Sequence, residues 1–227
     1  MHRCSTIHGR FHKRLCISVE KRNPTIVRTH CFLHKEVLVA KIAQNELKEV
    51  LSEVVELVNF MKTCTVKSRI FELICKDMDS QYVRLLLHTG VRWLSKGKVL
   101  SRVHELQNEL LTFCGTEGHE LFCKYHRNDL WLSRLEYLTE IFAQLNRLKS
   151  SMQGRNENIL TSTDKLIAFT NKVTLWKSRM KAGSLDMFPL VRKTCMKEMI
   201  PVIVEHLTCL GRRVEEYFPQ SVLMNLI

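Results

Sequence analysis

Thiolate and imidazole are the usual ligands of structural zinc, so the nine cysteines and ten histidines are the first residues to question. Cys31 and His34 stand at the Cys-x2-His spacing of half a zinc knuckle. A structural site needs four ligands, normally with a second pair at similar spacing downstream. The nearest second set, Cys114, Cys123 and His126, opens with too wide a gap. Cys4 and His8 would have to fold back onto it. The cysteines and histidines therefore read as buried or half-buried side chains, and no metal is assigned. Asp77 and Asp79 lie close in sequence, with Asp186 far away, and the pair reads as a cap and a turn rather than a Mg²⁺ site. The glycines are too scattered for a P-loop or a dinucleotide fingerprint, and no Gly-x-Ser-x-Gly elbow occurs. No catalytic residue, cofactor or small-molecule substrate follows from these residues.

One string suits nucleic acid: Val91-Arg92-Trp93-Leu94-Ser95-Lys96-Gly97-Lys98. Arg92, Lys96 and Lys98 can reach phosphates, and an exposed Trp93 can stack on a base. Composition alone favours the alternative, a core tryptophan with solvated neighbours.

The elements that would hold these residues are helical. At 227 residues the chain is long enough for a real core. Apolar residues make up 45% and charged residues 26%, which argues against disorder, and 8 Gly with 4 Pro are too few for a loop-rich β-sandwich. No apolar run is long enough to span a membrane. The formal charge of +12 favours acidic partners such as nucleic acid. Half of it falls in residues 1–36, where eight Lys or Arg face two Glu. The first 19 residues hold no acid, as in a transit peptide, but their apolar residues lack helical spacing, so they read as a solvated tail. With an odd cysteine count and no apolar leader segment, the thiols read as reduced and intracellular.

From about residue 35 the apolar period is that of helices. Glu46–Lys62 carries Leu47, Val50, Leu51, Val54, Val58 and Met61 on one face, with Glu49 and Glu53 on the wet side. Further helices are expected over Val66–Lys76, over Lys98–Phe113 with Ser95 as cap, over Asp129–Met152 capped by Asp129, over Thr163–Lys181, and over Lys197–Tyr217 with Pro201 in its first turn. Gly115 and Gly118 bracket a break after the helix that ends near Phe113. Thr25–Thr29 is the sole strand-like run, following Asn23-Pro24. An all-α bundle of six or seven helices is the expected fold.

Three strings carry a family likeness. Thr29–Glu36, with Cys31 and His34, resembles the HCxxHxxxL segment of hAT-superfamily transposases and their domesticated relatives. His88–Leu100 resembles their TxVRWLSxGxxLxR segment, and Leu132–Gly154 is similar to their LAYLxDIFxxLNxLNxxLQG segment. The order is preserved, and the likeness is strongest to the transposase-derived vertebrate group of the FAM200 proteins, zinc finger BED domain-containing protein 5, SCAN domain-containing protein 3 and general transcription factor II-I repeat domain-containing protein 2.

That resemblance implies a mainly α chain: the helical insertion domain of a truncated ribonuclease H-like transposase, with at most one or two short strands near its N-terminus. The implied divisions are a basic tail over 1–15, a remnant of the ribonuclease H-like core over 16–35, the all-α insertion over 36–219 and a tail over 220–227. Active relatives need three acids to hold two metal ions. The stretch Ile7–Leu15, where one segment would match, holds no acid, and the other two positions are expected off this chain. Gly90 stands where relatives usually carry Glu. The expectation is a nuclear (alternatively cytoplasmic), non-catalytic, transposase-derived protein. Its expected partner is DNA, bound non-specifically through residues 1–35, Arg92, Trp93, Lys96 and Lys98. The alternatives are a protein-interaction module using exposed apolar helix faces, or a transposon fossil without selected function. No membrane partner is expected.

Overall fold

The computed structural model describes residues 45–86, 95–116, 120–153, 157–191 and 196–217. The expected strand at Thr25–Thr29, the tails and the 16–35 remnant lie outside them. Every regular element among the described residues is a helix. They are α1 (Asn45–Lys62), α2 (Thr65–Asp77), α3 (Ser95–Glu105), α4 (Gln107–Thr116), α5 (Glu120–His126), α6 (Asp129–Ser151), α7 (Ile159–Lys181) and α8 (Met196–Tyr217).

Helix α6 runs through the middle of the bundle and packs against α1, α3, α5, α7 and α8, while α7 and α8 lie along one another. Its own sequence explains that position. Leu132, Leu135, Leu138, Ile141, Phe142 and Leu145 are all buried, as are Trp131 and Tyr137, so apolar surface covers well over one face. Each fully buried leucine contributes roughly 2 kcal/mol of transfer free energy. α1 supplies seven buried residues, from Leu47 to Met61, at the spacing expected from its sequence.

Local chemistry moves several boundaries. α6 is capped by Asn128, whose Oδ1 accepts hydrogen bonds from the N–H groups of Leu130 (3.0 Å) and Trp131 (3.2 Å). Asp129, expected as the cap, is instead the first helical residue, where its charge suits the positive end of the helix dipole. α7 starts at Ile159 rather than Thr163 because Asn158 and Thr161 form a capping box. The Thr161 N–H donates to Asn158 Oδ1 at 2.9 Å, and the Asn158 N–H donates to Thr161 Oγ1 at 3.1 Å. Asn158→Ala is expected to cost about 1 kcal/mol, read by urea denaturation. Loss of the cap with no change in midpoint would contradict this assignment.

The expected single helix over Lys98–Phe113 is two, parted at Leu106. Its halves serve different neighbours: α3 packs on α6, whereas α4 packs on α2 and α5. Gly115 is the last residue but one of α4, and Gly118 is outside the described residues. α5 was not expected, since seven residues are too few to show a period. Pro201 falls in the second turn of α8 rather than its first. It is exposed there, so water can take the Lys197 carbonyl that the missing N–H leaves behind. Gly183, with φ 80°, ends α7 as expected.

Candidate nucleic-acid interface

Lys96 and Lys98 sit in the first turn of α3, which carries no acid. Lys98 is exposed. Lys96 is half-buried, and that burial holds its ammonium below the ordinary lysine pKa. Lys98 is therefore the better placed of the two for a phosphate. Arg92, Trp93, Cys31 and His34 lie outside the described residues.

Gly97, between the two lysines, fixes how this turn is seated. A Cβ built on Gly97 would fall 2.6 Å from Asn146 Nδ2 and 3.0 Å from Phe142 Cβ. The α3 backbone therefore presses directly on α6, and Val99, Leu100 and Val103 are buried behind it. Arg102 ties the other end. Its guanidinium lies 3.4 Å from the Tyr82 ring centre, Nη1 donates to the Arg84 carbonyl at 3.0 Å, and Nε donates to Glu105 Oε2 at 3.2 Å. Thus Gly97, Leu100 and Arg102, three fixed letters of the TxVRWLSxGxxLxR string, are accounted for by packing. Sequence reasoning did not single out Gly97, although an isolated glycine inside a helical pattern was the available signal.

A second polar group joins α6 to α8 and was also missed. Tyr137, fully buried, has its hydroxyl 2.7 Å from His206 Nδ1, with Phe188 edge-on at 5.0 Å. Burial, then the nearby Arg213 charge, pushes the His206 imidazole down to about 4. One turn along α6 from Glu136, Glu140 accepts a hydrogen bond from the Leu190 N–H at 3.2 Å. Burial and the Glu136 charge push its carboxyl up to about 7, against the pull of that hydrogen bond. Tyr137 and His206 both occupy apolar positions of their helices, which hid them.

Glu53 also differs from expectation. It leaves the wet face of α1 to accept a 2.6 Å hydrogen bond from Trp131 Nε1, while Tyr125 stacks on the indole at 5.7 Å. Asp77 ends α2, Asp79 takes the left-handed turn at φ 51°, and Asp186 accepts from Ser184 Oγ at 2.7 Å. No group of three or more His, Cys, Asp or Glu among the described residues is arranged to hold a metal ion. Cys64, Cys75, Cys114, Cys123 and Cys209 are not joined in disulfides. Burial pushes the Cys75 thiol up to about 11 and the Cys114 thiol to about 12, so both stay protonated and inert. No described helix is long and apolar enough to cross a membrane.

An all-α bundle built on a central α6, with a glycine-seated basic turn at α3, is the class of domain that these features define. The chain belongs to the FAM200/GTF2IRD2-like family: the model of the FAM200/GTF2IRD2 helical domain matches residues 30–181, a span that includes all three strings above but for Thr29. It is 29% identical over 192 residues to general transcription factor II-I repeat domain-containing protein 2 of Bos taurus and to that of Mus musculus, covering 82% of this chain and 20% of each relative. The chain thus spans about a fifth of the length of these curated relatives. No solved structure matches.

Proposed function

We propose that this is a domesticated, hAT transposase-derived nuclear protein that contacts DNA weakly and without sequence preference, and that it is not an enzyme. In this reading residues 36–219 are the helical insertion and 16–35 the remnant of a ribonuclease H-like core. The 227 residues hold no acid at the one metal-ligand position that the resemblance places within them. The observation that carries the DNA reading is the first turn of α3. It presents Lys98 to solvent at an acid-free helix start, next in sequence to Arg92 and Trp93 and pinned to α6 by Gly97. Helix N–H groups and a cation at such a start suit a phosphate.

Phosphate contact releases counterions, so affinity falls steeply with salt. Fluorescence anisotropy with a labelled duplex is expected to show binding at low salt and a strong loss at moderate salt. Lys98→Ala should flatten the log–log salt slope by about 0.9, the value of one phosphate contact. Lys96→Ala should flatten it less, because its ammonium is partly withdrawn. Affinity that ignores salt, or no binding at low salt, would reject the proposal.

A protein-interaction role is the second reading. It is favoured by the apolar residues that α2 leaves exposed.

A further inference from the structure

Helix α2 has more apolar surface than the core uses. Only Phe71 and Cys75 of its thirteen residues are buried. Val66 and Leu73 are each 59% exposed, and Ile70 lies between them only partly covered. Val66, Ile70 and Leu73 follow the i, i+4, i+7 spacing, so they form one stripe of about 10 Å along the helix.

Beside the stripe is a pocket of about 270 Å³ at the junction of α1 and α2. Met61, Phe71 and Leu85 give it apolar walls, and Lys62, Arg69 and Arg84 give it positive ones. Glu72 is the one acid among the described residues of its lining, and it is already engaged. It accepts from Arg84 Nε at 3.1 Å and pairs with Lys76 at 3.0 Å. The lining keeps an excess of positive charge. Lys62 bears the consequence, its pKa held down by burial and then by the Arg84 charge.

We propose that the α2 face and this pocket dock an acidic amphipathic helix from a protein partner. One apolar anchor side chain enters the pocket, further apolar residues lie on Val66, Ile70 and Leu73, and flanking carboxylates meet Lys62 and Arg69. The pocket is smaller than the roughly 300–1,000 Å³ usual for a small-molecule site, which suits a single anchor. A DNA backbone supplies negative charge but would leave the Met61, Phe71 and Leu85 walls and the stripe uncovered. Apolar anchors at helical spacing with complementary charge are the signature of helix-in-groove recognition. Lys98 is neither in the stripe nor in the described lining of the pocket, so this inference stands or falls independently of the DNA reading.

The test is anisotropy of the full chain with a fluorescein-labelled synthetic helical peptide. The peptide carries leucine and phenylalanine at i, i+4, i+7 and glutamates on either side. Binding is expected, weakened roughly tenfold by Arg69→Glu and by Leu73→Ser, and weakened at least as much when the peptide's apolar anchors become serine. Arg69 and Leu73 are exposed, so both variants should keep the wild-type far-UV circular dichroism. Should either fail to fold, the serine peptide against wild-type protein decides alone. The proposal is overturned if wild-type protein does not bind, if the serine peptide binds as well as the parent, or if folded Arg69→Glu and Leu73→Ser bind the parent peptide unchanged. It is also overturned if Arg69→Glu weakens a DNA duplex as much as it weakens the peptide.

Discussion

Gly97→Leu is expected to destabilise the fold by about 3 kcal/mol, at the upper end of what overpacking costs. The reason is the seat of α3 on α6. A Cβ at this position already lies 3.0 Å from Phe142 Cβ, an atom held by the α6 backbone, and 2.6 Å from Asn146 Nδ2, which is the end of a side chain and can swing away. Leucine must place further carbons into that contact, so α3 has to lift from α6, which would loosen Leu100 and Val103. Gly97→Ala is a sharper comparison. Its strain is set against a helix-propensity gain of about 1 kcal/mol, so it should come out near neutral. Combining it with Asn146→Ala should give a favourable coupling of at least about 0.5 kcal/mol. Urea denaturation reads all of these, and a Gly97→Leu chain as stable as wild type would show that the close approach is absent in solution.

The second large effect is a pair of opposed titrations. Unfolded, His206 titrates near 6.5, and folded it titrates at about 4. Its folded pKa is depressed, so the stability it supports is complete above 6.5 and is lost as pH falls toward 4. The full amplitude is about 3 kcal/mol. Glu140 runs the other way, from 4.5 unfolded to about 7 folded. Its folded pKa is raised, so its contribution is complete below 4.5 and is lost as pH rises through 7. Glu140 is only partly buried, and solvent screening reduces its amplitude to about 1–2 kcal/mol. Between 4.5 and 6.5 the two partly cancel, and wild-type stability should change little with pH there. Glu140→Gln keeps an acceptor for the Leu190 N–H and removes the charge. It should be more stable than wild type by about 1–2 kcal/mol at neutral pH and above, with a steeper rise through the acid window. His206→Gln should remove that rise. Stability profiles that run parallel for the three chains would contradict the burial of both groups.

Much of this architecture was legible before the structure, for a definite physical reason. α1, α6 and α8 each bury a face through several turns, so their period was long enough to read, and α1 and α8 start within one residue of expectation. Side-chain chemistry at the ends was harder. Asn128 and Asn158 cap their helices through hydrogen bonds that sequence alone does not separate from the alternative starts at Asp129 and Thr163. The split at Leu106 was invisible because both halves are apolar on one side, and only the placement of α2, α5 and α6 shows that those sides face different neighbours. Of the expected site residues, Lys96 and Lys98 fall within the described residues, and their unequal exposure comes from tertiary packing that no local pattern encodes. Gly97, Tyr137 and His206 act through contacts with other elements, and no local pattern encodes those.

The DNA contact proposed above runs through Arg92, Trp93, Lys96 and Lys98, and the two lysines stand on the α3 turn that Gly97 seats against α6. It is tested most directly by duplex-DNA anisotropy at low salt, comparing the full chain with Arg92→Ala/Trp93→Ala and with the thermal midpoint measured for each. The account predicts that the double variant folds and loses about tenfold or more in affinity, together with about 0.9 of the salt slope for its one arginine. A folded double variant that binds as tightly as wild type would contradict it and leave the basic residues 1–35 as the contact.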